Sequence, residues 1–361
     1  MKSTPLHDVH VTLDATMTDF AGWSMPVRYA SDLEEHHAVR QRAGLFDLSH
    51  MGELEVVGPE AGAALDQALV GAASRIDVGR ARYSMLCAED GGVLDDLVVY
   101  RRGEERYLVV ANAANAEVVR RELVARADGF DTEVVDRSEE TALIALQGPA
   151  ASGVLAAMGL SGLDELRYYA GIDTDVLEHR VWLARTGYTG EDGVELFVPA
   201  DEAADLWYGL LEAGRSAEVV PAGLACRDTL RLEAGMPLYG HELGPDRTPF
   251  DAGLGRIVAF DTDFVGKEAL EEVARTGPTE TLVGLTAEGR RAPRAGYPVL
   301  DGDTPIGTVT SGVLSPTLGV PIAMAYVPVD RAEVGTALAV DVRGRPLPVE
   351  IVELPFYRRP R

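Results

Sequence analysis

The chain has 361 residues, 46% of them hydrophobic and 25% charged, with 58 acidic against 33 basic side chains for a net charge of -25. That length exceeds one compact core and implies two or three domains, and the balance is that of a globular chain rather than a disordered one. The acidity disfavours nucleic acid and membrane surfaces, and neither a bilayer-spanning run nor a secretion or transit signal is evident, so a cytoplasmic protein with no nucleic-acid or membrane partner is expected.

In chain order, Ser31-Asp32-Leu33-Glu34 spells a capping box for an early helix, with Gly44 as its stop. That helix carries His36 and His37, which point about 100° apart and do not share one metal. A strand follows at 53–57, and Pro59 opens a helix through 70. A meander then runs through 82–87, 93–100 and 106–110, turning at Glu89-Asp90-Gly91-Gly92 and near Gly103. Asn112 is placed to cap a helix running to about 127.

The middle strand of the meander carries two adjacent aspartates, residues that strands avoid. Alternation puts Leu94, Asp96, Val98 and Tyr100 on one face and Val93, Asp95, Leu97 and Val99 on the other. Asp96 therefore shares a face with apolar neighbours. A carboxylate there is either paired structurally or held for chemistry, because an unpaired buried charge is too unfavourable to keep.

A second block opens with a strand at 142–146, and Gln147-Gly148-Pro149 leads into a helix. A hairpin at 180–185 and 194–198 and helices near 201–214 and 222–234 follow. The stretch rich in Gly and Pro up to 279 reads as a linker, and from 280 short strands between turns suggest a barrel or jelly-roll-like ending.

Nucleotide and metal motifs are absent. Gly253-Leu254-Gly255 lacks a third glycine and a βαβ setting, and Gly187, Gly190 and Gly193 lie between strands, as in a hairpin turn. Cys87 and Cys226 match no metal or redox spacing, and Lys2 and Lys267 are the only lysines available for Schiff-base chemistry. What remains is carboxylates, tyrosines and an arginine. Glu195 in its alternating strand and Arg227 within Ala225-Cys226-Arg227-Asp228-Thr229-Leu230-Arg231 form either a structural ion pair or a recognition site for a planar heterocycle with adjacent donors. Tyr83, Tyr100, Tyr168 and Tyr188 are candidates to wall such a flat ring.

These residues carry a resemblance over essentially the full length. Phe20-Ala21-Gly22-Trp23-Ser24-Met25-Pro26-Val27, Gly44-Leu45-Phe46-Asp47-Leu48-Ser49-His50-Met51-Gly52 and Gly91-Gly92-Val93-Leu94-Asp95-Asp96-Leu97 resemble the T-protein family of glycine cleavage aminomethyltransferases. So do Arg185-Thr186-Gly187-Tyr188-Thr189-Gly190-Glu191-Asp192-Gly193-Val194-Glu195, Ala225-Cys226-Arg227-Asp228-Thr229-Leu230-Arg231-Leu232-Glu233, Thr310-Ser311-Gly312 and Ser315-Pro316. Several of these motifs are shared with sister folate enzymes.

The resemblance implies an α+β, three-domain cloverleaf around a central folate channel: two α+β domains with antiparallel sheets and a C-terminal β-barrel or jelly-roll-like domain. The expected division is 1–50 plus 140–240, then 51–139 with the Asp96 strand, a linker region at 241–279, and 280–361. It also implies transfer of the aminomethyl carbon from S-aminomethyl-dihydrolipoyl H-protein to tetrahydrofolate, the co-substrate, with no metal. The products are 5,10-methylenetetrahydrofolate, ammonia and dihydrolipoyl H-protein.

Carried over by position, Asp96 is the catalytic aspartate, Glu195 holds the pterin edge with support from Arg227, and Met51, Tyr83, Val98, Tyr100, Val110, Asn112, Tyr168 and Tyr188 line the pocket. The chain departs from the family pattern at Arg256, where an aromatic is expected. Since lipoyl carriers are usually acidic, docking calls for a local basic cluster, and the candidates are Arg290, Arg291 and Arg294 and the tail residues Arg358, Arg359 and Arg361. The competing readings are a folate-dependent demethylase of a small methylated substrate and a non-catalytic folate-binding accessory protein. Against the accessory role, that group's Cys-containing motif is replaced here by Arg231-Leu232-Glu233-Ala234-Gly235-Met236-Pro237-Leu238-Tyr239-Gly240.

Overall fold

The computed structural model describes residues 1–160 and 162–360. Two sheets meet face to face at its centre. The larger has six strands in the order Gly171–Val176, His179–Ala184, Gly193–Pro199, Thr141–Gln147, Gly44–Asp47 and Val220–Pro221. Leu45, Ile144, Leu146, Leu183 and Leu196 bury one face in a core shared with Val154 and Trp207, which lie on helices Ala151–Ala157 and Ala203–Ala213. Phe46, Leu143, Ala145, Trp182 and Phe197 bury the other. A strand covered on both sides has no polar alternation, which is why 142–146 reads as an unbroken apolar run.

The second sheet has five strands, all antiparallel, in the order Arg80–Cys87, Val93–Gly103, Arg106–Ala111, Gly52–Val57 and Glu133–Asp136. Leu54, Val56, Leu97, Val99 and Val109 pack with Leu65 and Leu123 of helices Ala61–Ala68 and Ala116–Arg126. Tyr100, Leu108 and Val110 on the opposite face pack with Phe46, Leu143 and Trp182 of the first sheet. From Asp95 to Tyr100 the strand parity read from the sequence is the parity of the two cores; before it, a register shift opposite Leu86 and Cys87 breaks the alternation, so Leu94 packs with Leu97 and Val99 while Val93 packs with Leu270.

A closed six-stranded barrel follows: Glu280–Ala287, Pro321–Pro328, Thr304–Leu314, Pro298–Asp301, Ala337–Asp341 and Pro346–Val352 in spatial order. Leu285, Val299, Val309, Ala325, Val340 and Ile351 fill it. Among the described residues no helix is long and apolar enough to cross a membrane.

Residues 241–279, expected to be a linker, are packed instead. Leu243, Ala252, Phe264 and Leu270 are buried with Val70, Met85, Cys87 and Val93, and a helix spans Lys267–Thr276. Gly and Pro mark bends in a sequence without revealing what the bends press against. Gly92 shows the contact, because a Cβ there would stand 2.1 Å from the Pro245 carbonyl oxygen. The Val93 N–H donates to the carbonyls of Gly244 and Arg247 at 3.2 and 2.9 Å. A glycine is needed where backbone meets backbone this closely.

Helix Leu224–Glu233 joins the barrel to the sheets through buried charge. Arg231, 1% exposed, donates to Glu242 at 2.9 Å and to Ser311 Oγ at 2.8 Å, and Ser311 donates to Glu242 at 2.6 Å. Two residues on, Glu233 accepts from Arg40 at 2.9 Å, from Thr317 at 2.7 Å and from Ser315. Burial pushes the Glu233 carboxyl up, but the hydrogen bonds and charge of His36, Ser315 and Thr317 outweigh it and hold the group at about 2. Every charge in these knots has a partner, the condition under which buried ions are tolerated.

Candidate active site

A cavity of about 700 Å³ opens where the two sheets, helix Leu224–Glu233 and the 235–257 segment converge. Asp96 lines it with Val98 and Tyr100, while Asp95 lies fully buried behind the strand. Tyr83 donates to Asp96 Oδ2 at 2.9 Å, and the Asn112 amide donates to Oδ1 at 2.8 Å. Asp95 accepts from the Asn112 backbone at 3.0 Å, from its side chain at 2.9 Å and from Asn115 at 2.6 Å. Asn112 therefore does not cap the next helix. Asn115 stands at the N-cap without a capping hydrogen bond, and the amide of Asn112 is spent orienting both aspartates.

Burial raises both carboxyls. Asp96 is pushed up to about 6, against the opposing hydrogen bonds of Tyr83 and Asn112. Asp95 is pushed up to about 7 by burial and then by the charge of Asp96, against the hydrogen bonds from Asn115 and Asn112. Adjacent coupled acids titrate as a pair, and the member facing the cavity is the one a substrate can reach.

Glu195 and Arg227 line the same cavity but are not an ion pair. Glu195 Oε2 accepts from Thr186 and, at 3.2 Å, from Tyr100, whereas no described residue donates to Oε1. The Arg227 guanidinium lies 4.9 Å from the centre of the Tyr188 ring, and among the described residues no carboxylate bonds to it. Burial draws its pKa down, though an arginine remains charged. A free carboxylate oxygen and a free guanidinium in one enclosed space are groups awaiting a ligand.

The 187–193 turn is plugged from behind by Gln147, which donates to Thr186 O at 3.0 Å and accepts from Thr189 at 2.9 Å. Gly187 leaves room for that plug, since a Cβ there would lie 2.0 Å from Gln147 Oε1. The Tyr188 hydroxyl in turn donates to Pro237 O, fixing the ring beside Arg227.

Met51, Tyr83, Val98, Tyr100, Val110, Asn112, Tyr188, Glu195 and Arg227 all line the cavity with Asp96. Tyr168 does not. It is 44% exposed, and its neighbour Tyr169 takes the place at the wall. Tyr169 has a left-handed backbone, φ 60°, which breaks the alternation on which choosing between adjacent rings depends. Thr186, Tyr239 and His50 also line the cavity without being singled out from sequence. Thr186 and His50 each had a signal, their places in the Arg185–Glu195 and Gly44–Gly52 motifs. Arg256 is exposed at the cavity rim. Arg290, Arg291 and Arg294 are exposed between two barrel strands, and Arg361 lies outside the described residues.

The GCVT N-terminal domain model matches residues 6–262, and the glycine cleavage T-protein C-terminal barrel domain model matches residues 281–358. The chain belongs to the glycine cleavage T-protein family. Within that family it is 59% identical to the aminomethyltransferase of Streptomyces avermitilis and 58% identical to that of Saccharopolyspora erythraea, in each case over 99% of this chain and 98% of the relative. The crystal structure of glycine cleavage system aminomethyltransferase T from Bartonella henselae superposes with a TM-score of 0.93 at 41% identity, covering 99% of this chain and 98% of that one. Membership in the T-protein family makes the chain an enzyme of aminomethyl transfer.

Proposed function

We propose that the cavity binds tetrahydrofolate and receives the aminomethyl group from the lipoyl arm of an H-protein, giving 5,10-methylenetetrahydrofolate, ammonia and the dihydrolipoyl carrier. The observation that carries this reading is the division of labour in the cavity. Asp96 is a hydrogen-bonded carboxylate poised to exchange a proton, while Glu195 Oε1 and Arg227 are held free of each other. Glu195 takes the donors on the pterin edge, and Tyr188 and Tyr100 wall the ring.

Asp96 accepts the proton shed as a folate nitrogen bonds to the aminomethyl carbon, and stabilises the positive charge that develops there. Two hydrogens leave the two folate nitrogens as they bond the carbon. One departs with ammonia and the other with the freed thiol. Tyr83 and Asn112 keep the carboxylate aimed while this happens, and the enclosed cavity holds both reactants in line away from water. The test is to incubate the protein with aminomethylated H-protein and tetrahydrofolate and measure ammonia and methylenetetrahydrofolate. Absence of both, with demethylation of a small amine instead, rejects the reading.

Because burial holds Asp96 at about 6, kcat should fall on the acid side with an apparent pKa near that value. Stability should move the other way. A carboxyl whose folded pKa is raised above its ordinary value takes up its proton more readily when folded, so the contribution of Asp95 and Asp96 to stability increases as pH drops from 7 to 5. Glu233, held low, keeps its contribution across that window and loses it only in stronger acid. A kcat that stays flat down to pH 5 contradicts the assignment of Asp96.

The H-protein docks, in this reading, on the barrel turn carrying Arg290, Arg291 and Arg294. Among the described residues these three have no carboxylate partner, although the chain as a whole is strongly acidic. Reversing all three to Glu should raise KM for the carrier about 10-fold with kcat nearly unchanged, and added salt should weaken the native enzyme's KM in the same direction. An unchanged KM places the docking face elsewhere.

A further inference from the structure

His50 has no part in the chemistry above, yet it is the most conspicuous unsatisfied side chain of the cavity. It lies in the turn between strands Gly44–Asp47 and Gly52–Val57, lines the cavity and is only 4% exposed. Phe20 meets its ring edge-on, with centroids 5.5 Å apart. Nδ1 is sealed from solvent and bonded to nothing, and among the described residues Nε2 has no partner either. A neutral imidazole carries one proton, and an orphaned buried N–H is less tolerable than an orphaned lone pair. The proton therefore belongs on Nε2, the nitrogen that is not sealed, where it faces the cavity.

Burial pulls the His50 pKa down to about 4; the charge of Arg227 pulls the same way and that of Asp47 opposes. The ring is neutral near pH 7, and it lines the same cavity as Arg227. Two donors with no acceptor among the described residues thus face one enclosed space, one charged and one neutral. Glu195 Oε1, with no donor, supplies the complementary acceptor.

We propose that His50 and Arg227 together hold a carbonyl oxygen on the bound heterocycle, the one adjoining the donors taken by Glu195. This rests on the folate reading. The pterin ring presents an amine, a ring N–H and a carbonyl in succession along one edge, a donor-donor-acceptor order. Glu195 matches the two donors, and the Nε2–H of His50 with the Arg227 guanidinium matches the acceptor. His50 is then a specificity-determining residue, because a site built to bond one polar group rejects an analogue that lacks it.

The experiment compares dissociation constants of tetrahydrofolate and of its 4-amino counterpart, in which an amine replaces the carbonyl and the adjoining ring nitrogen loses its hydrogen, for the native protein, His50→Phe and His50→Gln; because that exchange also takes a donor from Glu195, the change in preference between native protein and variant is what reports on His50. The native protein should prefer the carbonyl form. His50→Phe should bind that form about 10-fold more weakly and the amino form unchanged, and His50→Gln, which restores a donor, should recover most of the loss. Equal weakening of both ligands in His50→Phe makes the ring a packing element and overturns the proposal, as does no change in either. Nitrogen-15 NMR of the native protein gives a check independent of any variant, since a proton found on Nδ1 of His50 also overturns it. Failure of the native protein to bind either ligand defeats the folate reading itself, a result distinct from lost discrimination in the variant.

Discussion

Asp96→Asn is expected to lower turnover by about 10³-fold while tetrahydrofolate binds within a few-fold of its native affinity. The substitution preserves the shape of the side chain and an oxygen for the Tyr83 hydroxyl; it removes the capacity to take a proton and to bear negative charge, and it turns an N–H₂ toward the Asn112 amide. Asp95→Asn is the internal control, one residue away and on the opposite face. Asp95 gathers three N–H donors in the core, and an amide cannot accept them all without turning its own N–H groups toward them. Its loss should appear as about 1–3 kcal/mol of stability in urea unfolding, with turnover per folded molecule much less affected. Native-like turnover in Asp96→Asn would remove the aspartate from the chemistry altogether.

Glu195→Ala should raise the tetrahydrofolate dissociation constant about 100-fold, the consequence of leaving two ligand donors without their charged acceptor. Glu195→Gln separates the two jobs of this side chain. Its amide oxygen can still receive Thr186 and Tyr100, so the wall stays in place, but it turns an N–H₂ toward the donors of the ligand. Loss of affinity in Glu195→Gln as well as Glu195→Ala identifies a binding group; loss in Glu195→Ala alone identifies a strut for Tyr100 and Thr186. Isothermal titration with each variant decides between them.

Period-two alternation along 95–100 separated Asp96 from Asp95, because one face of that strand packs on helices and the other on a second sheet and cavity; the bulge that places Leu94 on the helix side left no mark in the sequence. Helix 31–41 and the 180–198 hairpin were legible from caps, turns and apolar runs. What was not legible depended on partners distant in sequence. Glu195 and Arg227 looked like each other's natural partner, and nothing local indicates that Thr186 and Tyr100 claim the one while Tyr188 covers the other. The left-handed backbone at Tyr169 reversed the choice between two adjacent tyrosines. The glycines and prolines of 241–279 announced bends correctly, yet the core those bends complete is built from residues 70–93.

The helix that presents Arg227 to the cavity is bolted to the barrel four residues later, through Arg231, Glu242 and Ser311. The barrel is for this reason not an interchangeable module. A chimera carrying the barrel of a distant homologue would inherit a correct fold and an empty bolt-hole unless a hydroxyl at position 311 travelled with it, and its defect would register as weakened ligand affinity some distance from any replaced residue.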